Sequence, residues 1–233
     1  MALQDDLTQE VTGIFGAAWS SRDGLVVPSD TSVTLGNDAV KIAATVLYAD
    51  LADSTILVDN FRPAFAAEVY KSFLHCASKI IKAEGGAITA FDGDRVMAVF
   101  IGDSKNTSAV RAALKINTAR IHIIQPAINR QYNTSFVMNH VCGVDTSSLF
   151  VAKTGVRGSN DLVWVGRAAN YAAKLAALDH SFPTWITGDV YEMLAKEAKF
   201  AGGGSGENMW EPRTWTAMNG LRIYRSTYKW TAI

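Results

Sequence analysis

The stretch TVLYADLADST (residues 45–55) decides the predicted fold. Its apolar first half predicts a buried strand over about residues 41–49 that ends at Asp50. Its second half begins a helix, because Asp53 and the residues after it are typical of a helix start. Tyr48 and Asp50 are two residues apart, so in a strand their side chains point to the same face of the sheet.

A second stretch, GGAITAFDGDRVMAVF (residues 85–100), lies about forty residues further on. Its Asp-Gly-Asp tripeptide, ending at Asp94, is typical of a hairpin turn, and it predicts strands over about 86–91 and 95–101. We expect this hairpin to place Asp94 beside Asp50. Two carboxylates that share divalent cations next to a helix N-terminus suit phosphoryl or nucleotidyl transfer.

The rest of the chain predicts alternating helices and strands. Residues 1–20 predict an amphipathic helix with an acidic polar side, packed on the domain or on a second copy, and 21–37 predict a connecting loop. We therefore divide the chain into an N-terminal helix and loop (1–37) and a main domain (38–233). Strands interleaved with helices and hairpins indicate an α+β fold with a mixed or antiparallel sheet covered by helices.

The other predicted elements are set by apolar periodicity and by turn residues. In chain order, they are one or two helices over 54–82 with a possible break at Arg62-Pro63, a helix over 104–125 with capping candidates Asn106-Thr107-Ser108 and a bend or end at Pro126, strands over about 134–144 and 148–153 around an Asp145-Thr146-Ser147 turn, a strand near 161–165, a helix from Arg167 to Leu178, a strand at 184–186, a helix start at 188–189, a mobile loop over 202–206, and strands near 209–217 and 221–230.

Composition narrows the classes of partner. The chain has 233 residues, with 22 Lys and Arg balancing 22 Asp and Glu, so no net charge favours nucleic acid or an anionic membrane. No signal peptide and no apolar run of about 18 residues are present, which predicts a cytoplasmic protein without a membrane partner. Cys76 and Cys142 lie in apolar runs and are expected to be buried free thiols.

Three blocks of the sequence resemble the catalytic domain of class III nucleotidyl cyclases. Residues 48–55 follow that family's pattern F-A-D-(I/L)-x-G-(F/S)-T, and residues 85–100 follow G-G-x-x-x-K-x-x-G-D-x-x-(M/L)-A-x-F. Residues 166–174 match in part the pattern G-x-x-V-N-x-A-(A/S)-R. The resemblance covers about residues 41–190 and implies a ferredoxin-like, palm-type fold with a mostly antiparallel sheet. It also implies a head-to-tail homodimer whose two active sites each combine residues of both chains.

By position, the resemblance implies that Asp50 and Asp94 bind two divalent cations, Mg²⁺ or Mn²⁺, with the Leu51 carbonyl as a further ligand. Asn170 takes the place of the residue that orients the ribose. Lys174 stands where the family has an arginine that stabilises the pentavalent phosphorus. Lysine keeps the charge but loses the bidentate fork, so another cation nearby in sequence could serve instead; the candidates are Arg157 and Arg167.

The resemblance also implies groups that hold the triphosphate. The loop at the helix start would offer backbone amides to the phosphates, and its residues are Leu51, Ala52, Asp53, Ser54 and Thr55. Asp53 and Asp92 are expected to serve as cap and turn residues. Arg213 or Arg222 could hold the leaving pyrophosphate.

The residues expected around the base depart from the purine cyclases. Ala90 and Val163 occupy the two purine-reading positions, and neither side chain can hydrogen-bond a purine edge. Tyr48 replaces a common phenylalanine and either crowds the pocket toward a single-ring base or simply packs. Arg95 either contacts substrate or pairs with Asp92 or Asp94. A shift of two residues in the alignment would put Asp161 in place of Val163.

This combination resembles the stand-alone pyrimidine cyclases of bacterial Pycsar anti-phage systems. The resemblance implies conversion of UTP or CTP to the 3′,5′-cyclic monophosphate and pyrophosphate, with UTP as the working choice. The product would be a second messenger for anti-phage defence, bound by a separate effector protein. The alternatives are an atypical adenylyl or guanylyl cyclase and a catalytically silent nucleotide sensor or dimerisation module. The presence of both Asp50 and Asp94 argues against the silent domain.

Overall fold

The computed structural model describes residues 2–233, in which strands and helices alternate along the chain. The strands are β1 (Ser20–Asp23), β2 (Asp38–Leu51), β3 (Ala87–Asp92), β4 (Arg95–Phe100), β5 (His140–Val156), β6 (Ser159–Val165), β7 (Thr184–Thr187), β8 (Glu211–Trp215) and β9 (Leu221–Ser226). The helices are α1 (Leu3–Gly16), α2 (Ser54–Asn60), α3 (Pro63–Ala83), α4 (Lys105–Ala119), α5 (Gln125–Gln131), α6 (Arg167–Ala176), α7 (Gly188–Glu192), α8 (Lys196–Lys199) and α9 (Ala201–Gly204).

The strands form one sheet in the order β3-β4-β2-β5-β7-β9-β8, with β1 beside β2 and β6 beside β5. Most neighbours are antiparallel; β1 with β2 and β5 with β7 are the parallel pairs in the part of the chain that the structure describes. Strand β2 lies at the centre and pairs with β5 from Ala39 to Leu51. The predicted α+β fold with a mostly antiparallel sheet covered by helices is confirmed.

The two faces of β2 are covered by different layers of the fold. On one face, the side chains of Leu47, Ala49 and Leu51 pack with Phe73 of α3 and Leu114 of α4 in the largest apolar core. On the other face, Val46 packs with Ala172 of α6 in a second core. Because side chains alternate along a strand, Tyr48 and Asp50 share the α6 face with Val46. The sheet thus directs Asp50 to the face that carries α6.

The helical predictions hold with three changes. The stretch after Asp53 is two helices, and Pro63 lies in the first turn of the second, where no intrahelical N–H is needed. The chain stays helical past Pro126, because α4 continues through a π-helical turn (Arg120–Ile124) into α5. The three predicted capping residues of α4 lie inside the helix, where Asn106 accepts a 2.8 Å hydrogen bond from Thr45; that capping prediction is wrong.

The predicted turn at Asp145-Thr146-Ser147 is wrong, because β5 runs through these residues without interruption. Each of them faces a residue of β2 in register. The Asp145 side chain is fully buried and paired with charged and hydroxyl groups from distant parts of the chain. The strand therefore begins at His140 instead of 134, and it reaches Val156.

The N-terminal segment differs from its prediction in two ways. Helix α1 has no buried residue, so in the described chain it does not pack on the domain; Met1 lies outside the described residues. Its end is fixed by Asn37, whose amide donates to the carbonyls of Ile14 and Ala17 at 2.9 and 2.7 Å. The predicted loop contains β1, which pairs with β2. The division of the chain at residue 37 stays a prediction.

Smaller elements follow the sequence more closely. The stretch 202–206 forms a tight turn with Gly202 and Gly203 at φ of 61° and 71°, a conformation that favours glycine. Both cysteines are free, with Cys142 buried and Cys76 partly buried. Among residues 2–233, no helix is long and apolar enough to cross a membrane.

Candidate active site

The structure brings Asp50 and Asp94 to the same end of the sheet. Asp50 ends β2, where it faces Arg95 of β4 on one side and Val141 of β5 on the other. Asp94 lies in the tight turn between β3 and β4, after Gly93 with φ of 62°. Burial and, after it, the Asp94 charge raise the pKa of Asp50 to about 6, although the Arg95 guanidinium opposes the rise. The two carboxylates therefore repel each other across a partly buried site.

These carboxylates fit a divalent cation. A carboxylate that is destabilised by burial and by a like charge gains most from a nearby positive ion. Carboxylate and carbonyl oxygens are the ligands that Mg²⁺ and Mn²⁺ prefer. Within the described residues no group of three or more His, Cys, Asp or Glu side chains has metal-binding geometry. Asp50 and Asp94 thus stay the predicted metal ligands, with the Leu51 carbonyl as a further predicted one.

Tyr48 and Arg95 lie beside this pair. The Arg95 guanidinium is 5.8 Å from the centre of the Tyr48 ring, and its charge acts on Asp50. Arg95 forms its ion pair with Asp92, so of the two predicted acidic partners the structure selects Asp92. Tyr48 is partly buried, and burial raises the pKa of its phenol. A cation, a phenol and a carboxylate therefore meet at the end of β2.

The two expected base-reading positions are placed differently. Ala90 of β3 and Tyr48 of β2 both lie opposite Met97 of β4, and both pack against the core between the sheet and α6. Val163 is 37% exposed and lies outside that core, whereas its neighbours Leu162 and Trp164 pack against it. Asp161 is exposed like Val163, two residues away along β6. Within one chain, Ala90 and Tyr48 therefore border the same core with β4 between them, and Val163 lies apart from that core.

The loop after Asp50 differs from the prediction in two contacts. The Ala52 amide donates to the Asn139 carbonyl at 3.0 Å, which removes it as a donor for phosphate. Asp53 adopts a left-handed conformation (φ 58°) and its side chain makes no cap hydrogen bond. Asp53 thus holds the predicted N-cap position of α2, while its carboxylate lies 3.1 Å from the Nε2 atom of His180. The spacing of the histidines did not single out His180. Ser54 and Thr55 begin α2 as predicted.

Asn170 and Lys174 are presented by the exposed side of α6. The opposite side of the helix packs on the sheet through small and apolar residues; these are Ala168, Ala169, Ala172, Leu175 and Ala176. Asn170 and Lys174 are four residues apart, so they share one side of the helix. The Lys174 ammonium lies 3.6 Å from the Met218 sulfur. In the described chain, no hydrogen bond or ion pair joins either residue to Asp50 or Asp94.

The other candidate arginines differ in how far their side chains are already paired with acidic residues. Arg167 is bound to Asp145 and Asp189, so its guanidinium is not available to a phosphate. Arg213 pairs with Glu211 on strand β8. Arg157 and Arg222 are both exposed to solvent. The Arg167 contacts could not be found from the sequence, because its partner Asp145 lies in a segment that reads locally as a turn.

Comparison with known proteins finds relatives that match over nearly the whole chain. The chain is 53% identical to the uridylate cyclase of Xanthomonas perforans over 99% of both chains. It is 54% identical to that of Burkholderia cepacia over 99% of this chain and 100% of the relative. For the uridylate cyclase of Rhodovulum sp. (strain MB263), the identity is 41% over 98% of this chain and 97% of the relative. No family model matches the chain.

Solved structures match the fold at lower identity. The crystal structure of the adenylyl cyclase CyaB from P. aeruginosa has a TM-score of 0.70 and 19% identity, over 84% of this chain and 98% of that one. The guanylyl cyclase Cya2 has a TM-score of 0.67 and 15% identity, over 82% and 94%. The fold is thus that of the class III nucleotidyl cyclases. The chain belongs to the uridylate cyclase family, and the enzyme class that its motifs predict, a nucleotidyl cyclase, is confirmed.

Proposed function

We propose that this protein converts UTP to 3′,5′-cyclic UMP and pyrophosphate. The observation that carries the proposal is the shared sheet face of Tyr48 and Asp50, which places a bulky phenol on the same face as the carboxylate that would hold the metal ions. Ala90, which borders the same core as Tyr48, offers no side-chain hydrogen bond to a purine. The full-length relatives named uridylate cyclase support the choice of uracil.

The chemistry is an intramolecular displacement at phosphorus. The ribose 3′-oxygen bonds to the α-phosphorus, the bond from that phosphorus to the bridging oxygen breaks, and pyrophosphate departs while the hydroxyl proton passes to solvent. Asp50, Asp94 and the Leu51 carbonyl would hold two cations, Mg²⁺ or Mn²⁺. When bound, these cations lower the pKa of the attacking hydroxyl and offset the triphosphate charge.

The remaining groups orient the substrate. Asn170 would hydrogen-bond the ribose, and Lys174 would place a point charge at the phosphorus. The loop 51–55 would lie along the triphosphate; its Ala52 amide is already used, so the donors come from the residues that follow.

Arg95 supports uracil over cytosine. Arginine carries only donors, and the guanidinium is held above Tyr48 by its ion pair with Asp92. The edge of uracil offers carbonyl oxygens, whereas cytosine presents an amino group at position 4, which is itself a donor. A donor at this side of the pocket would therefore favour UTP. Val163 would complete the pocket without reading the base.

We further propose a head-to-tail homodimer with two shared active sites. Asn170 and Lys174 are exposed and make no contact with Asp50 or Asp94 in the described chain, so a second copy would supply them. Mixing Asp50→Ala chains with Asn170→Ala chains should restore part of the activity, because one composite site per heterodimer stays whole. Inactive heterodimers, shown to form by tagged co-purification, would contradict the shared site.

The substrate is tested by incubating the purified protein with equimolar ATP, GTP, CTP and UTP plus Mn²⁺ and identifying the products by mass spectrometry. We expect cyclic UMP, and none from the Asp94→Ala variant. Cyclic CMP in its place would overturn the choice of UTP and keep the pyrimidine pocket. Cyclic AMP or cyclic GMP as the main product would overturn the pocket itself.

The cellular role follows from the resemblance to stand-alone pyrimidine cyclases. We propose a cytoplasmic enzyme whose product is a second messenger for anti-phage defence and acts on a separate effector, without nucleic-acid or membrane partners. Cells carrying the complete locus should resist phage with the wild-type enzyme and lose resistance with Asp50→Ala. Equal resistance with both would contradict this role.

A further inference from the structure

Strand β5 holds the first turn of α6 through three consecutive residues. Arg167 donates from Nε and Nη2 to the Asp145 carboxylate at 3.1 and 3.3 Å. Its Nη2 also donates to the Thr146 carbonyl at 2.9 Å. The Ala168 amide donates to the Ser147 hydroxyl at 2.9 Å, which satisfies one of the free amides at the helix start. The segment that reads as a turn in the sequence is therefore the attachment point of α6.

The acidic member of this attachment is inaccessible to substrate. The Asp145 side chain is 0% exposed and accepts a 2.6 Å hydrogen bond from Thr187 at the end of β7. Arg167 extends the connection to Asp189 in α7 and lies 5.6 Å from the centre of the Tyr171 ring. One buried carboxylate thus ties together β5, β7 and α6.

A second contact brings the helix against the same strand. A Cβ atom on Gly143 would clash with the Ala172 carbonyl and lie 2.5 Å from the Ala176 amide nitrogen. The backbones of β5 and α6 therefore touch, and the helix cannot move closer to the sheet. The close contact sets the distance of α6 from the sheet, and the Arg167 anchor sets its rotation.

We propose that Asp145 and Arg167 are positioning residues for catalysis. Arg167, Asn170 and Lys174 follow one another at i, i+3 and i+7, so they lie along one side of α6. Release of Arg167 would let the helix rotate and turn both site residues away from the substrate. This inference rests on the proposed roles of Asn170 and Lys174. Arg167, first considered as a substitute for the family arginine, acts through the helix instead.

The expected effect is on turnover. A displacement of about 1 Å in a positioned group can cost about 10²-fold in rate. Arg167→Met and Asp145→Asn should each lower kcat by roughly 10- to 100-fold and change KM for UTP by less than about threefold. Arg167→Lys keeps the charge but loses the bidentate fork, so its kcat should lie between those of the wild type and Arg167→Met. The matched control is Arg22→Met, which removes an Arg–Asp pair of 2.6 Å far from α6 and should leave kcat unchanged.

Mixed dimers separate positioning from general loss of stability. Arg167→Met chains should regain activity with Asp50→Ala chains, which supply an intact α6. They should regain none with Asn170→Ala chains, because both defects lie on the same helix. Recovery with Asn170→Ala, or failure with Asp50→Ala while Asp50→Ala and Asn170→Ala complement each other, would overturn the inference. Asp145→Asn must behave in the same way; a loss confined to the Arg167 variants would mean that Arg167 acts on the substrate directly.

A failure of the proposed shared site can be distinguished from a failure of the positioning role. If Asp50→Ala and Asn170→Ala chains form inactive heterodimers, the dimer model fails while the kinetics still decide the role of the ion pair. Unchanged kcat in a folded Arg167→Lys or Asp145→Asn enzyme, with folding checked by circular dichroism, would overturn the positioning role of the ion pair.

Discussion

Asp50 and Asp145 lie on the same face of the two central strands, yet the fold treats them in opposite ways. Asp50 is partly buried beside a second carboxylate, and its pKa is raised to about 6. Asp145 is more deeply buried, and its pKa is also raised, because burial outweighs the opposing hydrogen bonds from Thr187 and the fork of Arg167. One carboxylate is neutralised within the chain to hold a helix, and the other is left for an external cation. The difference separates a structural group from a binding group of the same chemistry.

The largest expected effect is on activity at the unneutralised carboxylate. Asp50→Asn keeps the shape but removes the charge that would hold the cations, so the rate of cyclic UMP formation should fall by roughly 10³-fold, about 4 kcal/mol of barrier. Asp94→Asn should do the same. Initial rates with UTP and Mn²⁺ measure this. A rate within tenfold of the wild type would remove both residues from the metal site.

The free energy of unfolding should respond more to substitution of Asp145 than to substitution of Asp50. Asp145→Asn removes the buried charged partner of Arg167 and leaves the exposed Asp189, and we expect a loss of about 2 to 3 kcal/mol in the free energy of unfolding, since Arg167 stays partly exposed. Asp50→Asn relieves a repelling charge and should leave metal-free protein as stable as the wild type or more so. Urea unfolding at pH 7 compares them. Equal destabilisation by the two substitutions would break the distinction between the two sites.

A third buried titratable group sharpens the comparison. His140 begins β5 on the opposite face and is 1% exposed, and among residues 2–233 neither of its ring nitrogens has a hydrogen-bond partner. Burial lowers its pKa to about 3, so it stays neutral in the folded protein. An unfolded histidine gains a proton below about pH 6.5, and stability should therefore fall by about 2 kcal/mol between pH 7 and pH 5 from this residue.

His140→Phe removes this contribution. Urea unfolding at pH 7 and pH 5 should show a smaller fall in stability for this variant than for the wild type. His75→Phe is the matched control, since its exposed ring is hydrated in the folded and the unfolded chain. Identical falls in the wild type and His140→Phe would show that His140 takes up a proton in the folded state.

The smallest effect concerns the base next to Asp50. Tyr48→Ala opens space on the pocket side and should raise the ratio of cyclic purine to cyclic pyrimidine products by about tenfold, the range for a change in a hydrophobic pocket. Tyr48→Phe keeps the volume and should keep the preference. Product ratios from mixed nucleotides measure both variants. An unchanged ratio in Tyr48→Ala would mean that the ring only packs.

The contrast between Asp50 and Asp145 also explains which parts of the fold and the site the sequence could predict. The end of β2 and the β3–β4 hairpin follow from local patterns, since alternation and an Asp-Gly turn need no distant partner. The strand position of Asp145 does not follow from local patterns. Its partner Arg167 is 22 residues away, and a Thr-Ser sequence after an aspartate favours a turn locally. Asp53 holds the predicted cap position, whereas its carboxylate meets His180 across the fold. Local patterns thus predicted the strand end and the turn that carry Asp50 and Asp94, and they missed the position of Asp145, whose contacts are tertiary.

Cation binding tests the distinction between Asp50 and Asp145 most directly. Free Mn²⁺ can be followed by electron paramagnetic resonance during titration of the protein with 3′-deoxy-UTP, which lacks the attacking hydroxyl and cannot cyclise. We predict two bound Mn²⁺ per active site for the wild type and for Asp145→Asn, and the loss of at least one for Asp50→Asn. Wild-type binding by Asp50→Asn, or loss of binding in Asp145→Asn alone, would contradict the account.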